Sequence, residues 1–92
     1  MIVYTEFNYG GKTYNFRLDT ERLDRNYNDE PYAYWVAVEK NKRFFEVNII
    51  KTAEVDGDFT NDGYVKCYDS MDKFDNDDPT EIIDVTFVCL TN

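Results

Sequence analysis

The chain of 92 residues contains no histidine, and this absence excludes several kinds of catalytic and metal chemistry. Ser-His-Asp triads, Cys-His pairs, histidine-ligated zinc and imidazole acid–base catalysis all need this side chain. A glycine-rich phosphate loop is also missing, because Gly10-Gly11 has neither the spacing nor the following helix of such a loop. Any catalytic site would have to be built from carboxylates, tyrosines and lysines.

Long apolar runs and clustered cysteines are missing as well. No segment approaches the roughly 18 consecutive apolar residues that span a membrane, and "MIVYTEFNYGG" lacks the basic start and apolar run of a signal peptide. Cys67 and Cys89 have no C-x-x-C spacing and lie among strand-like apolar residues. We therefore expect a soluble, cytoplasmic protein with no membrane contact, no cofactor, and two buried free thiols in preference to a disulfide.

The residues that are present favour one folded domain, residues 1–92. With 42% hydrophobic and 17% aromatic residues, the chain is too apolar for a disordered protein, although 32% of it is charged. By size scaling, a chain of this length buries roughly 60 to 70% of its unfolded surface. That burial is enough for one modest hydrophobic core.

Negative charge is concentrated in one segment. Residues 1–53 hold eight acidic and eight basic side chains, whereas residues 54–84 hold eleven acidic side chains against Lys66 and Lys73, so the net charge of −9 comes from that segment. A negative field of this kind repels nucleic acid and anionic membranes and attracts cationic partners. We expect no direct nucleic-acid binding, and a protein partner with a basic surface.

The first β-hairpin can be paired from the sequence. Gly10-Gly11 supplies the positive φ angles of a two-residue turn, which pairs Tyr9 with Lys12. Alternate residues then separate into an apolar and a polar face, as a half-buried antiparallel pair requires. The predicted inner face consists of Val3, Thr5, Phe7, Tyr14, Phe16 and Leu18.

A second predicted hairpin joins "YAYWVAVE" to "FFEVNII" and pairs Glu39 with Phe44. Its predicted inner face consists of Tyr34, Val36, Val38, Phe45, Val47 and Ile49. Trp35, Phe44 and Ile50 would then point outwards, and these side chains are either covered by another part of the chain or exposed. We favour a cover formed by the 19–29 segment or by a second sheet, because an open apolar surface promotes aggregation. The other alternative is an exposed aromatic patch for binding or homodimerisation.

The remainder of the chain alternates strand-like and acidic stretches. "GYVKCYD" and "TEIIDVTFVCLT" have the period of two that is typical of strands. Short helices are predicted from Glu21 to Arg25 and from Met71 to Phe74, the second ending before Pro79. The sequence therefore predicts a mostly β fold, with α+β as an alternative. We expect about six antiparallel strands in a small sandwich or half-open barrel, with one or two short helices.

The segment "DFTNDGYVKCYD" has part of the spacing of a calcium-binding EF-hand loop. Counted from Asp58, Asp62 falls at the fifth position, Gly63 at the sixth and Asp69 at the twelfth. A threonine at the third position, Lys66 at the ninth and aspartate at the twelfth depart from that loop, and neither flank is helical. We therefore expect no metal site, with a calcium loop as the third functional alternative.

A catalytic acid–base pair is another use for neighbouring carboxylates, because a like-charged neighbour raises one of the two pKa values. Catalysis also needs an enclosed pocket, and a domain of this size with a single core seldom has room for one. We therefore expect no catalytic residues and no enzyme activity.

The acidic segment can also imitate nucleic acid. If "EVDGD" is extended, Glu54, Asp56 and Asp58 project on one side about 6.6 Å apart. A protein groove lined with lysine and arginine would bind such a row of carboxylates, and counterion release would drive the association. Aromatic side chains of this chain would add a stacking surface like that of nucleic-acid bases. Glu81 and Asp84 broaden the acidic surface. The predicted partner-binding residues are Glu54, Asp56, Asp58, Asp62, Asp69, Asp72, Asp75, Asp77, Asp78, Tyr64, Tyr68 and Trp35.

In its small size, lack of histidine and abundance of Tyr, Asn and Asp, the chain resembles the small acidic inhibitors carried by phages and mobile elements. These are anti-CRISPR proteins and DNA mimics that block restriction or repair enzymes. The resemblance lies in composition and in residues 54–84, with no sequence motif, so no functional residues follow from it. It implies a stoichiometric inhibitor of a nucleic-acid-binding enzyme with a basic groove. The alternative is a structural or adaptor module that binds another protein through Trp35 and its neighbours.

Overall fold

A computed structural model describes residues 2–19, 22, 24–25, 33–51 and 60–90. The strands are β1 (Ile2–Tyr9), β2 (Lys12–Asp19), β3 (Asp24–Arg25), β4 (Ala33–Lys40), β5 (Arg43–Lys51), β6 (Thr60–Tyr68) and β7 (Glu81–Cys89), and the helix is α1 (Met71–Asp75). All neighbouring strands are antiparallel, in the order β2-β1-β7-β6-β5-β4-β3. The mostly β fold predicted from the sequence is confirmed.

Both predicted hairpins have the predicted register. Tyr9 pairs with Lys12 across a turn in which Gly10 and Gly11 have φ angles of 57° and 77°. Glu39 pairs with Phe44, as expected. The described side chains predicted for the two inner faces are buried or half-buried, and they form the core with residues of β6 and β7. Turn chemistry and period-two patterning were therefore sufficient to set these registers.

The sheet curls because β1 separates from β7 after a short pairing. The two strands pair at Val3 and Tyr4 of β1. Beyond that point, the hydroxyl of Thr5 donates a hydrogen bond to the carbonyl oxygen of Thr86 at 3.0 Å. The hairpin of β1 and β2 is thereby free to cross the inner face of the other strands.

Aromatic rings fill the space between this hairpin and β5. The centroid of the buried Phe45 ring lies 4.9 Å from that of Tyr14, 5.5 Å from Phe16 and 5.9 Å from Phe7. Three strands separate β2 from β5 in the sheet order, so these contacts require the sheet to fold back on itself. The result is a curled half-barrel, one of the two predicted architectures.

Side chains close one end of the half-barrel. Arg43 donates hydrogen bonds to the hydroxyl of Tyr14 at 3.1 Å and to the carbonyl oxygen of Tyr9 at 3.4 Å. Lys40, at the end of β4, donates to the carbonyl oxygen of Asn15 in β2 at 3.2 Å. At this end β2 and β4 therefore meet through side chains.

The helix predicted from Glu21 to Arg25 is wrong at its C-terminal end, where Asp24 and Arg25 form β3 and pair with β4. Glu21 and Leu23 lie outside the described residues. A short segment with Leu23 as its one aliphatic residue has too little apolar surface to hold a helix against the core. Pairing with the edge of β4 satisfies backbone groups of β3 instead.

Neither cysteine forms a disulfide, as predicted, but only one of the two has the expected burial. Cys67 is buried, and Cys89 is half-buried. Burial raises the pKa of the Cys67 thiol to about 12, which keeps it protonated and unreactive. Within the described ranges, no helix has the length and apolar character needed to cross a membrane.

Candidate functional site

The candidate site lies on the side of β4 to β7 that faces away from the aromatic core, here termed the outer face. Alternate residues of each strand point to this face, and the strand registers align them in rows. The two rows that matter are Trp35, Asn48, Tyr64 and Asp84, followed by Ile50, Asp62 and Thr86.

The helix α1 covers one half of the outer face. Ser70 caps its N-terminus by accepting a hydrogen bond from the backbone amide of Lys73 at 3.2 Å. The ring centroid of Phe74 lies 5.9 Å from that of Phe44 and 5.2 Å from that of Tyr68. The predicted helix is confirmed, and it covers Phe44, for which a cover by a second sheet or by the 19–29 segment had been expected.

On the other half of the outer face, the described residues include two large apolar side chains that stay partly exposed, although Asn48 beside them is buried. Trp35 and Ile50 each expose 37% of their surface, so the expected cover is wrong for these two residues. The reason is the size of α1, which has five residues and extends about 7.5 Å at the rise of an α-helix. A depression of about 440 Å³ between the strands is lined by Ile50, Asp62, Gly63, Tyr64, Asp84, Val85 and Thr86. We term Trp35, Ile50, Asp62, Tyr64 and Asp84 the open patch.

Both basic side chains of the acidic segment are already paired. The ammonium nitrogen of Lys66 lies 3.6 Å from a carboxylate oxygen of Asp77, and that of Lys73 lies 3.7 Å from one of Asp78. Asp77 and Asp78 are thereby neutralised and tied to α1 and β6. The two carboxylates are 72% and 70% exposed, so these ion pairs add little to stability, and the part of Asp77 and Asp78 in partner binding stays a prediction.

Asp69 belongs to the closed end of the half-barrel. It accepts a hydrogen bond from the hydroxyl of Tyr9, and its carboxylate lies 3.8 Å from Nε of Arg43. Burial, together with the hydrogen bond to Asp69, raises the pKa of Tyr9 to about 12. Asp69 therefore joins the β1–β2 turn to the end of β6.

Tyr68 is 1% exposed and donates a hydrogen bond to Asp77 at 2.9 Å. Burial, and secondly this hydrogen bond, raise its pKa, so the phenol stays neutral. A ring covered by Phe74 offers no face to a partner. The prediction that Tyr68 provides a stacking surface is therefore wrong.

Six carboxylates on this side of the molecule have no cationic partner within residues 2–19, 22, 24–25, 33–51 and 60–90: Glu39, Glu46, Asp62, Asp72, Asp75 and Asp84. Asp62 and Asp84 lie in the open patch, whereas Asp72 and Asp75 lie on α1. Lys66 is the only basic residue among the described side chains of β4 to β7 that point outwards, and it forms an ion pair with Asp77. The outer face is therefore negatively charged.

The structure brings three predicted partner-binding residues, Trp35, Asp62 and Tyr64, into one patch. The predicted acidic row of Glu54, Asp56 and Asp58 lies outside the described residues and stays a prediction. The members of the open patch come from four strands, β4 to β7, and the sequence pattern had indicated the side-chain directions along these strands.

Two members of the open patch, Ile50 and Asp84, were absent from the predicted set of binding residues. Asp84 belongs to the open patch because the register of β6 and β7 places it opposite Tyr64. Ile50 joins because β5 and β6 place it opposite Asp62. Period-two alternation was the available signal, but it does not show which strands are neighbours.

The calcium-loop alternative is wrong. Residues 60–68 of that twelve-residue segment form β6, so Asp62 and Asp69 are held at opposite ends of a strand, about 20 Å apart. Calcium ligands lie about 2.3–2.6 Å from a single ion. In the described part of the chain, no group of three or more His, Cys, Asp or Glu side chains is arranged to hold a metal ion.

Comparisons of the chain with protein-family models, with curated proteins and with solved structures find no match. Exposed aromatic surface beside unneutralised carboxylates suits the binding of a positively charged partner.

Proposed function

We propose that this protein is a stoichiometric, non-enzymatic inhibitor that occupies the basic groove of a nucleic-acid-binding enzyme of the CRISPR-effector, restriction or repair type. The observation that carries the proposal is the shared position of the unneutralised carboxylates. Asp62 and Asp84 lie in the open patch, and Asp72 and Asp75 lie on the helix that covers the same face. A nucleic-acid backbone likewise presents negative charges along one surface.

The extent of the acidic surface suits a groove. Asp62 and α1 lie at opposite ends of β6, about 20 Å apart by the rise of a strand. Lysine and arginine side chains of a nucleic-acid-binding groove would pair with carboxylates along this length, and counterion release would favour the complex at low salt. Trp35 and Tyr64 supply aromatic surface of the kind that such grooves bind by stacking.

The test begins with a partner captured from a bacterial lysate and identified by mass spectrometry. Nucleic-acid binding by the purified partner is then titrated with this protein. We expect binding to be lost at one equivalent, with an inhibitor affinity that falls steeply as salt is added. A ternary complex that still holds nucleic acid in the groove contradicts the proposal.

A charge-reduced variant, Asp62→Asn with Asp72→Asn and Asp75→Asn, tests the surface itself. These side chains are exposed and have no cationic partner in the described part, so the fold is expected to survive. Affinity for the partner should fall about tenfold or more, with a flatter salt dependence. Glu6→Gln, an exposed change on β1, is the control and should leave affinity within about twofold. Unchanged affinity and salt slope in the triple variant count against mimicry.

A second candidate function is a structural or adaptor module that docks, or dimerises, through the apolar part of the open patch. The 37% exposure of both Trp35 and Ile50 favours it, because exposed aromatic residues are typical anchors of protein interfaces. Apolar docking would be weakened by Trp35→Ala, retained in the charge-reduced variant and little affected by salt. Trp35→Ala weakens binding under both candidates, so the charge-reduced variant and the dependence of affinity on salt are the measurements that separate them.

A further inference from the structure

The open patch combines aromatic surface and unneutralised carboxylate within reach of one ligand group. Tyr64 lies opposite Asp84, and Asp62 is the diagonal neighbour of Asp84 across β6 and β7. Diagonal neighbours of an antiparallel pair are about 7–8 Å apart at the backbone, so a single group between them can contact both carboxylates. Ile50 and Thr86 complete the lining of the depression.

We infer that the open patch is the docking site for an arginine side chain on a basic segment of the partner protein, an inference that rests on the proposed function. The guanidinium group enters the depression between Asp62 and Asp84, with its plane against the ring of Tyr64. Its charge complements the two carboxylates, and its flat surface complements the ring.

Arginine fits this patch better than lysine for two reasons. Its five N–H donors lie in a rigid plane and can reach two carboxylates at once, whereas the ammonium group of lysine is a compact point charge. A guanidinium is also more weakly hydrated than an ammonium, so it stacks on an aromatic ring at a lower desolvation cost.

Other occupants match the charge of the patch less well. Nucleic acid and anionic lipid have the same sign of charge and are repelled. A two-fold dimer through this face would place the carboxylates of Asp62 and Asp84 in one copy near the same pair of carboxylates in the other, because the same surface of each copy meets in such a dimer. Like charges facing each other across an interface oppose association.

The experiment uses the whole protein and two synthetic probes, a Gly-Arg repeat peptide and a Gly-Lys repeat peptide of equal length and charge. Isothermal titration calorimetry measures the affinities, and the fluorescence of Trp35, the single tryptophan of the chain and a residue of the same outer face, is followed as a second signal. At low salt we expect the Gly-Arg peptide to bind at least about fivefold more tightly than the Gly-Lys peptide.

Matched variants locate the binding. Asp62→Asn with Asp84→Asn should weaken Gly-Arg binding about tenfold or more, because two charge-assisted contacts are lost. The control is Glu6→Gln with Glu39→Gln, which removes the same charge at exposed positions outside the patch and should change affinity by less than about twofold. Tyr64→Leu should reduce the preference for arginine over lysine. Circular dichroism checks each fold, and the single substitutions Asp62→Asn and Asp84→Asn replace the double variant if it unfolds.

Two outcomes overturn the inference: equal affinity for the two peptides, or equal loss of Gly-Arg binding in the patch and control variants. The failure of the proposed function is a separate result. If the patch binds the Gly-Arg peptide as expected but a captured partner still holds its nucleic acid, occlusion of the groove is wrong. If nucleic acid is displaced but the patch variants bind the partner normally, the arginine site alone is wrong.

Discussion

A Cβ atom added to Gly63 would lie 2.0 Å from the carbonyl oxygen of Asn48 and 2.9 Å from the ring of Phe87. Because the nearest atom belongs to the backbone of β5, a strand would have to shift to admit a methyl group. We expect Gly63→Ala to lower the free energy of unfolding by about 3 kcal/mol, measured by urea denaturation.

Gly11→Ala is the matched control for Gly63→Ala. No atom lies within 4 Å of a Cβ at this turn position, but its φ of +77° disfavours any side chain. We expect a loss of about 1 kcal/mol from that backbone conformation. A smaller loss for Gly63→Ala than for Gly11→Ala would show that β5 and β6 are not packed as closely as described.

The ionisation of Tyr9 makes the free energy of unfolding depend on pH in the alkaline range. Burial and its hydrogen bond to Asp69 raise its pKa from 10.0 to about 12, so between these values the unfolded chain loses a proton that the folded protein keeps. The unfolded state then binds fewer protons, and stability falls as pH rises through this window, by at most about 1.4 kcal/mol per pH unit for this group. Urea unfolding across the window should show the fall, with a shallower slope in Tyr9→Phe.

Cys67 adds to the alkaline loss of stability. Burial raises its pKa from 9.0 to about 12, so its contribution has the same sign and begins at lower pH. The comparison between wild type and Tyr9→Phe cancels this contribution, provided that both are measured under reducing conditions. Identical slopes for the two proteins would contradict the assignment to Tyr9.

At the scale of elements, α1 depends on one aromatic anchor. Phe74 contacts the rings of Phe44 and Tyr68 and is half-buried. We expect Phe74→Ala to cost about 2 kcal/mol, less than for a fully buried ring, and to expose Tyr68. Thermal unfolding measures the first effect, and tyrosine accessibility to nitration measures the second.

Met71→Ala is the control on the same helix. Met71 is 51% exposed, so its truncation should change stability by less than about 0.5 kcal/mol. Equal effects of the two substitutions would show that Phe74 does not anchor α1 to the sheet.

The elements themselves were largely predictable from the sequence. The turn at Gly10-Gly11 and the alternation on each side of it set the first register, and the short helix predicted around Met71 and Phe74 is α1. The failure at Asp24 and Arg25 has a physical cause. A short segment has little intrinsic tendency to form a helix. Asp24 and Arg25 pair instead with the exposed edge of the neighbouring strand, β4.

At the scale of the whole molecule, the net charge of −9 should control access of ions to Trp35. Trp35 is 37% exposed, so neutral acrylamide should quench its fluorescence. At low ionic strength, caesium should quench it more than iodide does, each relative to its effect on N-acetyltryptophanamide. The negative field concentrates cations, and the difference should vanish near 1 M salt, where the Debye length is about 3 Å.

The quenching experiment has its own control in Asp62→Asn with Asp84→Asn. Loss of the two nearby charges should reduce the difference between caesium and iodide without changing the quenching by acrylamide. Resistance to acrylamide would contradict the open position of Trp35, and equal quenching by the two ions at low salt would contradict the negative field around it.

The sequence by itself determined the hairpin registers, the side of the sheet to which each strand residue points, the absence of a disulfide between Cys67 and Cys89, and the confinement of net charge to residues 54–84. These properties depend on turn chemistry, period-two alternation and composition, which are local. Only the tertiary structure decided which carboxylates remain free, because the pairing of Lys66 with Asp77 depends on where α1 packs. It also decided that Tyr64 faces Asp84 and that Tyr68 is covered. Strand order and packing join residues distant in the chain, and no local pattern encodes those contacts.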